Sequence, residues 1–196
     1  MTNRRELLKI GLAAAALPVA ARASSLETRA ADAQALYKIV YDTRFPASAA
    51  FARRAAAAGL AVQALDGDVT RFWYDDLYHR WKQGPAAIAG MTAHGALFCL
   101  ERLAWDQRMR VVFRGEHVVA ADGCLAHRFE GSAAMMPAAA AAASRPGWAA
   151  AVADVVATCP RERGAVRTAT AVTVDAAALP PAEALFSWVI APVARA

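Results

Sequence analysis

The chain has 196 residues, of which 58% are hydrophobic, and its formal net charge at pH 7 is +5. This length predicts one domain. The composition supplies enough apolar side chains for a packed core, which excludes a chain that is disordered throughout. Four basic residues and one acidic residue give segment 1–23 a net charge of +3, so the remainder carries only +2. Because a nucleic-acid-binding protein gathers positive charge on one face, such binding is not expected.

The N-terminus has the parts of an export signal. The pattern Arg-Arg-x-Leu-Leu-Lys begins at Arg4 and Arg5, apolar residues 10–21 follow, and a small-x-small sequence ends at Ala23. These parts correspond to the charged, hydrophobic and cleavage regions of a signal peptide. The pattern resembles the leaders of bacterial twin-arginine (Tat) proteins, and only the leader carries this resemblance. An ordinary basic amphipathic N-terminus is the alternative.

The resemblance implies that the Tat translocase exports the folded chain to the periplasm and that the leader is cleaved after Ala23. It also implies a cofactor, which the sequence does not identify, or a partner such as a periplasmic redox enzyme. Residues 10–21 would rise about 18 Å as a helix, well short of a hydrocarbon core of about 30 Å, so no permanent membrane span is expected. Residues 24–34 predict a flexible lead-in, and residues 35–196 a single α/β domain.

From residue 36 onward, apolar runs alternate with helical patterns. Strands are predicted at 36–41, 60–65, 86–89 and 109–113, and helices at 47–58, 69–82 and 92–107. Because the strands are continuous apolar runs with short connections, they are typical of a parallel sheet that helices cover on both faces. Asp68 and Thr92 stand where the N-caps of the second and third helices are expected. The sequence therefore predicts a three-layer α/β fold with a mostly parallel, Rossmann-like βαβαβαβ sheet.

Beyond Gly115 the pattern changes. Further elements are predicted as strands at 117–121 and 124–129, a weak helix or loop at 135–143, a helix at 148–158, and strands at 166–174 and 186–190. Asp122-Gly123 between the first two strands is a strong signal for a hairpin turn. These C-terminal strands are expected to extend the sheet in a partly antiparallel manner.

Each of the first four predicted strands is followed by charged or hydrogen-bonding side chains. The carboxyl ends of parallel strands meet at one edge of an α/β sheet, where ligands bind. The candidate ligand-binding residues are Asp42, Thr43, Arg44, Asp66, Asp68, Thr92, His94, Glu116 and His117. We therefore expect any ligand site to lie at this edge.

Three interpretations of these residues stay open. In the first, Arg44 and the amides that open the helices after strands one and three bind an anion or a carboxylate ligand. In the second, His94 and His117 hold a divalent metal ion with nearby carboxylates, although no close spacing of histidines supports it. In the third, the residues are only helix caps, turn residues and exposed histidines.

The chain contains no glycine-rich dinucleotide fingerprint, no phosphate-binding Gly-Lys-Ser/Thr loop and no Gly-x-Ser-x-Gly elbow. Together with the leader and the charged strand ends, this leads us to expect an exported small-ligand-binding or accessory protein, such as a partner of a periplasmic redox enzyme. The alternative is a periplasmic enzyme, a metal- or histidine-dependent hydrolase, in which Arg44 holds the substrate.

Three cysteines follow the leader. Cys124 and Cys159 lie near predicted loop ends, and in an oxidising compartment they are the better candidates for a disulfide. Cys99 lies in an apolar helical run and is expected to be buried.

Overall fold

The computed structural model describes residues 35–119, 124–159, 167–175 and 183–192. The predicted leader 1–23 and the lead-in 24–34 lie outside the described residues, as does the predicted Asp122-Gly123 turn. In these described ranges, no helix is long and apolar enough to cross a membrane.

Strands and helices alternate along the described residues. The strands are β1 (Leu36–Asp42), β2 (Val62–Leu65), β3 (Ala87–Ala93), β4 (Met109–Val119), β5 (Cys124–Ser132), β6 (Arg167–Asp175) and β7 (Leu185–Pro192). The helices are α1 (Pro46–Ala57), α2 (residues 70–82), α3 (His94–Asp106), α4 (Met136–Ala143) and α5 (Trp148–Ala157). A short 3₁₀ turn, Ala133–Met135, precedes α4.

All seven strands form one mixed sheet in the order β2-β1-β3-β7-β4-β5-β6. β1 pairs in parallel with β2 and β3, and the other neighbouring pairs are antiparallel. Because β7 lies between β3 and β4 and is antiparallel to both, β4 runs in the same direction as β1, β2 and β3. The predicted α/β fold with additional, partly antiparallel C-terminal strands is confirmed.

Helices cover both faces of the sheet. On one face α1, α4 and α5 enclose a core that includes the fully buried Phe51, Phe113 and Val152. On the other face α2 and α3 enclose Leu97 and Trp188. Every residue of β3 is buried, as expected for a strand that is covered on both sides.

Several boundaries differ from the prediction. β4 extends to Val119 because β7 and β5 supply hydrogen-bond partners along both of its sides, so Glu116 and His117 lie inside the strand. Thr92 belongs to β3, and Ala93 occupies the N-cap position of α3, so the predicted Thr92 cap is wrong. The alanine-rich segment that begins at Met136 is a helix, since its buried face packs against the sheet.

Helix α2 contains a turn of π-helix, Trp73–Leu77, between two α-helical pieces. The carboxylate of Asp76 in this turn accepts hydrogen bonds from the hydroxyl of Tyr37 and the ammonium of Lys38 on β1. Burial, with the hydrogen bond to Asp76, raises the pKa of Tyr37 to about 12. Such π turns are frequent at functional sites. Here the turn ties α2 to β1 and places Asp75 and Asp76 beside the sheet edge.

Candidate functional site

The carboxyl ends of β1 to β4 lie at one edge of the sheet, as the sequence predicts. Asp42 at the end of β1 is opposite Leu65 at the end of β2. Phe186 of β7 is opposite both Thr92 of β3 and Glu116 of β4. The candidate residues therefore share one level of the sheet, although successive side chains point to opposite faces.

A cavity of about 410 Å³ opens beyond the ends of β1 and β2, beside helix α2. Thr43, Asp66 and Asp68, three of the predicted candidates, line it. The π turn of α2 adds two further aspartates, and Arg71 is the cationic residue of the lining. With four carboxylates and one guanidinium, the cavity is acidic.

The carboxylates of the cavity differ in their hydrogen bonds. Asp68 accepts the amide of Thr70 at 2.8 Å, and its hydrogen bonds from Thr70 lower the pKa of the carboxyl. Asp75 is ion-paired with Arg71 at 3.3 Å on the solvent-exposed side of α2. Asp66 is exposed and accepts no hydrogen bond from the described residues. Asp66 is therefore the carboxylate that is available to a ligand.

Arg44 is bound to Asp42 beside the cavity. Its Nε and Nη2 donate to the two carboxylate oxygens at 2.9 and 2.7 Å, and Asp42 is fully buried. The hydrogen bonds that Arg44 donates to Asp42, with the charges of Asp42, Glu183 and Asp66, raise the pKa of Arg44. Because this guanidinium is already paired and faces further carboxylates, the interpretation of Arg44 as an anion clamp loses its support.

Gly67 allows Arg44 to occupy this position. Its φ is +99°, a left-handed conformation that favours glycine, and a Cβ there would lie 2.7 Å from Cζ of Arg44. The turn between β2 and α2 is therefore built around the guanidinium.

Three other candidates lie away from the cavity lining. Thr92 is buried in β3, and its hydroxyl accepts a hydrogen bond from Nε1 of Trp188 at 3.0 Å. His94 is exposed at the start of α3, with its ring 5.3 Å from that of Phe186. Glu116 is half-buried in the middle of the sheet. None of the three is placed to act with Asp66.

His117 lies on the opposite face of the sheet from His94. His94 contacts Phe186, which packs with α2 and α3, whereas the ring of His117 is 4.5 Å from that of Trp148 on α5. With the sheet between them, the two histidines cannot bind one metal ion. Within the described ranges, no group of three or more His, Cys, Asp or Glu residues is arranged to hold a metal.

His117 belongs instead to a buried polar cluster that sequence analysis missed. Its Nδ1 is 2.7 Å from Nδ1 of His127 on β5, and its Nε2 is 3.0 Å from Oγ of Ser187 on β7. All three residues are at most 1% exposed. A Cβ at Gly115 would lie 2.4 Å from Oγ of Ser187, so the missing side chain leaves room for the hydroxyl.

Burial keeps both histidines of this cluster uncharged. It lowers the pKa of His117 well below its ordinary value, with a smaller effect from His127, and it lowers the pKa of His127 to about 4. In the neutral pair, one ring donates through Nδ1 and the other accepts. Nε2 of His127 is buried with no hydrogen-bond partner among the described residues, so the cluster is costly to maintain.

The three cysteines are not among the described residues that line the acidic cavity. Cys124 begins β5 and is half-buried, and Cys159 follows α5 and is buried. Their disulfide stays a prediction. Cys99 is exposed on α3, contrary to expectation, because it lies on the side of the helix that points away from the sheet.

Comparison of the chain with protein-family models, with curated proteins and with solved structures found no match. Its function is therefore inferred from its own residues.

Proposed function

We propose that the chain is an exported periplasmic accessory protein that binds a small ligand at the carboxyl edge of β1 and β2. The observation that carries the proposal is the acidic cavity, where Thr43, Asp66 and Asp68 come together from two strand ends. Ligands of open α/β sheets bind at this edge, in concave sites with a few convergent polar groups. The leader pattern supports export.

The cavity favours a cationic or polyhydroxylated ligand. Carboxylates make strong, charge-assisted hydrogen bonds with amines and also accept hydroxyl donors. The amide of Gln63 and the ring of Phe72 also line the cavity and offer further polar and apolar contacts. Anionic ligands are disfavoured, because Arg44 is neutralised by Asp42.

Isothermal titration calorimetry of the mature chain, residues 24–196, tests this site. The panel consists of putrescine, arginine, choline and glucose, with citrate as an anionic comparison. We expect an amine or the polyol to bind, and Asp66→Asn to weaken binding about 10-fold or more. Asp106→Asn, an exposed aspartate on α3, is the matched control and should leave binding unchanged. Absence of binding by every cation and polyol, or equal binding by Asp66→Asn, would contradict the proposal.

Export is tested with the full chain. Wild type should appear in the periplasm without residues 1–23, whereas the Arg4→Lys, Arg5→Lys double variant should stay in the cytoplasm with its leader intact. Periplasmic delivery of the double variant at the wild-type level would argue against the Tat route.

A second candidate function is ester hydrolysis. It is favoured by the series of side-chain contacts that runs from Ser187 through His117 to His127. These residues are spaced like a nucleophile, its general base and the group that orients the base. Oγ of Ser187 would attack the carbonyl carbon of an ester while Nε2 of His117 takes the hydroxyl proton. His117 would return this proton to the alcohol as the ester C–O bond breaks, and water would then hydrolyse the acyl-serine with His117 again as the base. Because all three are buried, α5 would have to move to admit a substrate.

A fluorophosphonate probe separates this enzyme from a binding protein. Covalent labelling of the wild type that is lost in Ser187→Ala would support hydrolysis. An unlabelled wild type, or labelling that persists in Ser187→Ala, would contradict it.

A further inference from the structure

A second surface lies across α2 from the acidic cavity. Four of the five large hydrophobic side chains that are exposed in the described residues belong to α2 and α3, and Tyr74, Phe98 and Trp105 are 65%, 54% and 42% exposed. A groove of about 380 Å³ runs between these two helices. Clustered, exposed aromatic side chains are unusual on a surface without a binding function and mark interaction sites.

Most of the side chains that line the groove are apolar. Val69, Trp73 and Leu103 are buried or half-buried within it, and Tyr74 and Phe98 line it with exposed rings. The ring of Trp73 lies within 5.8 Å of that of the fully buried Trp81, so the groove floor is continuous with the core beneath α2. A rigid, preformed groove of this kind accepts inserted apolar side chains without reorganisation.

Positive charge borders the groove. Arg102 lines it, with Cζ 4.1 Å from the ring centroid of Trp105, and Arg110 of β4 lies 5.5 Å from the same ring. Lys82 lies 4.5 Å from the ring centroid of Tyr78 on α2. Among the described residues that line the groove there is no aspartate or glutamate.

Arg102 is exposed and forms no salt bridge with the described residues. Two acidic residues that adjoin groove residues in the sequence are already paired: Asp75 is bound to Arg71, and Glu101 is bound to Arg114 at 2.9 Å. The guanidinium of Arg102 is therefore available to a partner.

We propose that the groove between α2 and α3 binds an amphipathic helix of a partner protein, with apolar side chains in the groove and carboxylates facing Arg102. This inference rests on the accessory role proposed above, but not on the ligand cavity. Two neighbouring helices offer a groove in which a third helix packs its ridges, and helix-in-groove binding is a common mode of peptide recognition. Aromatic and arginine side chains are also the residues that dominate binding energy at interfaces.

Charge and shape favour this partner over two others. A symmetric dimer through the same surface would bring the positive charge of both copies into one interface, which is unfavourable. A lipid surface is flat and contacts protruding side chains, whereas this surface includes a concave groove between its exposed rings.

Binding of a designed peptide to the mature chain tests the proposal. The probe is a helix of about 18 residues, or about five turns, with Leu and Phe on one face and Glu on the other. Its counterpart carries Lys in place of each Glu. Fluorescence anisotropy gives the affinity. Alkylation of Cys99, which lines the groove, reports occupancy by mass spectrometry, because a bound helix should slow the reaction.

We expect the Glu peptide to bind at least about 10-fold more tightly than the Lys peptide and to slow alkylation of Cys99. Arg102→Glu should weaken the Glu peptide about 10-fold or more, and Phe98→Ala should weaken it as well. Arg53→Glu, which reverses an exposed charge on α1, should change nothing.

Three results would overturn the proposal. The first is equal binding of the two peptides, or no binding of either. The second is an equal loss with Arg53→Glu and Arg102→Glu. The third is that the wild type forms a dimer, or binds vesicles that contain phosphatidylglycerol, and that Phe98→Ala abolishes this association while peptide binding persists. None of these three results affects the proposed ligand binding at Asp66. The groove proposal and the cavity proposal can therefore be refuted independently.

Discussion

Acidification should destabilise the fold through the buried His117–His127 pair. In the unfolded chain a histidine takes up a proton with a pKa near 6.5, whereas in the folded protein burial lowers the pKa of His127 to about 4 and that of His117 well below its ordinary value. The folded state thus binds fewer protons than the unfolded state. The contribution to stability is complete above the unfolded pKa and is lost as the pH falls toward the folded pKa.

The size of the effect follows from these pKa values. At about pH 5 the linkage relation gives a loss of about 2 kcal/mol for His127. The depressed pKa of His117 adds to this loss in the same direction. A loss of about 2 kcal/mol is already a large part of the roughly 5–15 kcal/mol that stabilises a domain. The melting temperature should fall by about 5 °C or more.

Urea unfolding at a series of pH values measures this loss, with circular dichroism as the probe. The window from about pH 7.5 to about pH 5 isolates the histidines, because most carboxyl groups titrate below it. His127→Gln should lose less stability on acidification than the wild type, because one of the two buried histidines is gone. His94→Asn removes an exposed histidine and should follow the wild-type curve.

The reasoning would be refuted by a wild-type free energy of unfolding that changes by less than about 1 kcal/mol across this window. A flattened curve for His94→Asn would also refute it, since the proton uptake would then belong to an exposed ring.

Three further substitutions test local contacts in the fold. Gly115→Ala should lower the free energy of unfolding by about 2 kcal/mol, because its Cβ would lie 2.4 Å from Oγ of Ser187, and an unchanged urea midpoint would contradict this contact. Gly95→Ala on α3, where a Cβ meets nothing within 4 Å, should instead raise thermal stability by up to about 1 kcal/mol, and a loss would contradict the open position. Asp42→Asn should cost about 1–3 kcal/mol, because it takes the carboxylate from Arg44, and the loss should vanish in an Arg44→Gln background.

The first half of the fold was accessible to sequence reasoning because its connections are local. Apolar runs mark β1 and β3, and each is followed by a helix with a short connection, so the parallel arrangement follows from the pattern. The position of β7 between β3 and β4 was not accessible, since it depends on pairing between residues that are far apart in the chain. The same pairing extended β4 past Gly115 and placed Glu116 and His117 within it.

The buried cluster was missed because its formation depends on strand register. A two-residue turn at Asp122-Gly123 would pair His117 with Arg128, whereas the structure pairs His117 with His127. A shift of one residue changes which face each side chain occupies. The choice of register therefore decides whether two histidines meet in the core.

The sequence predicts the edge of the sheet at which the candidate residues lie, but not which of their charged groups are paired with one another. The sequence places Asp42, Arg44, Asp66 and Asp68 at the ends of strands. In the structure Asp66 and Asp68 line the cavity, and Asp42 and Arg44 form an ion pair beside it. Which charges cancel depends on geometry, because Arg44 has several carboxylates within reach and binds the buried one. The three-dimensional structure, and not the sequence, distinguishes a paired guanidinium from a free one.

Because β7 lies in the middle of the sheet, a newly made chain can complete its fold only after β7 has been synthesised. On the ribosome, β1 to β3 and then β4 to β6 emerge before residues 185–192, and no direct pairing joins these two halves. Until β7 arrives, the sides of β3 and β4 that it will occupy expose unpaired backbone groups, which invite association with other chains. A nascent or clipped chain without this strand should therefore be aggregation-prone, and any transport machinery that selects folded cargo would receive a competent molecule only after translation of the strand is complete.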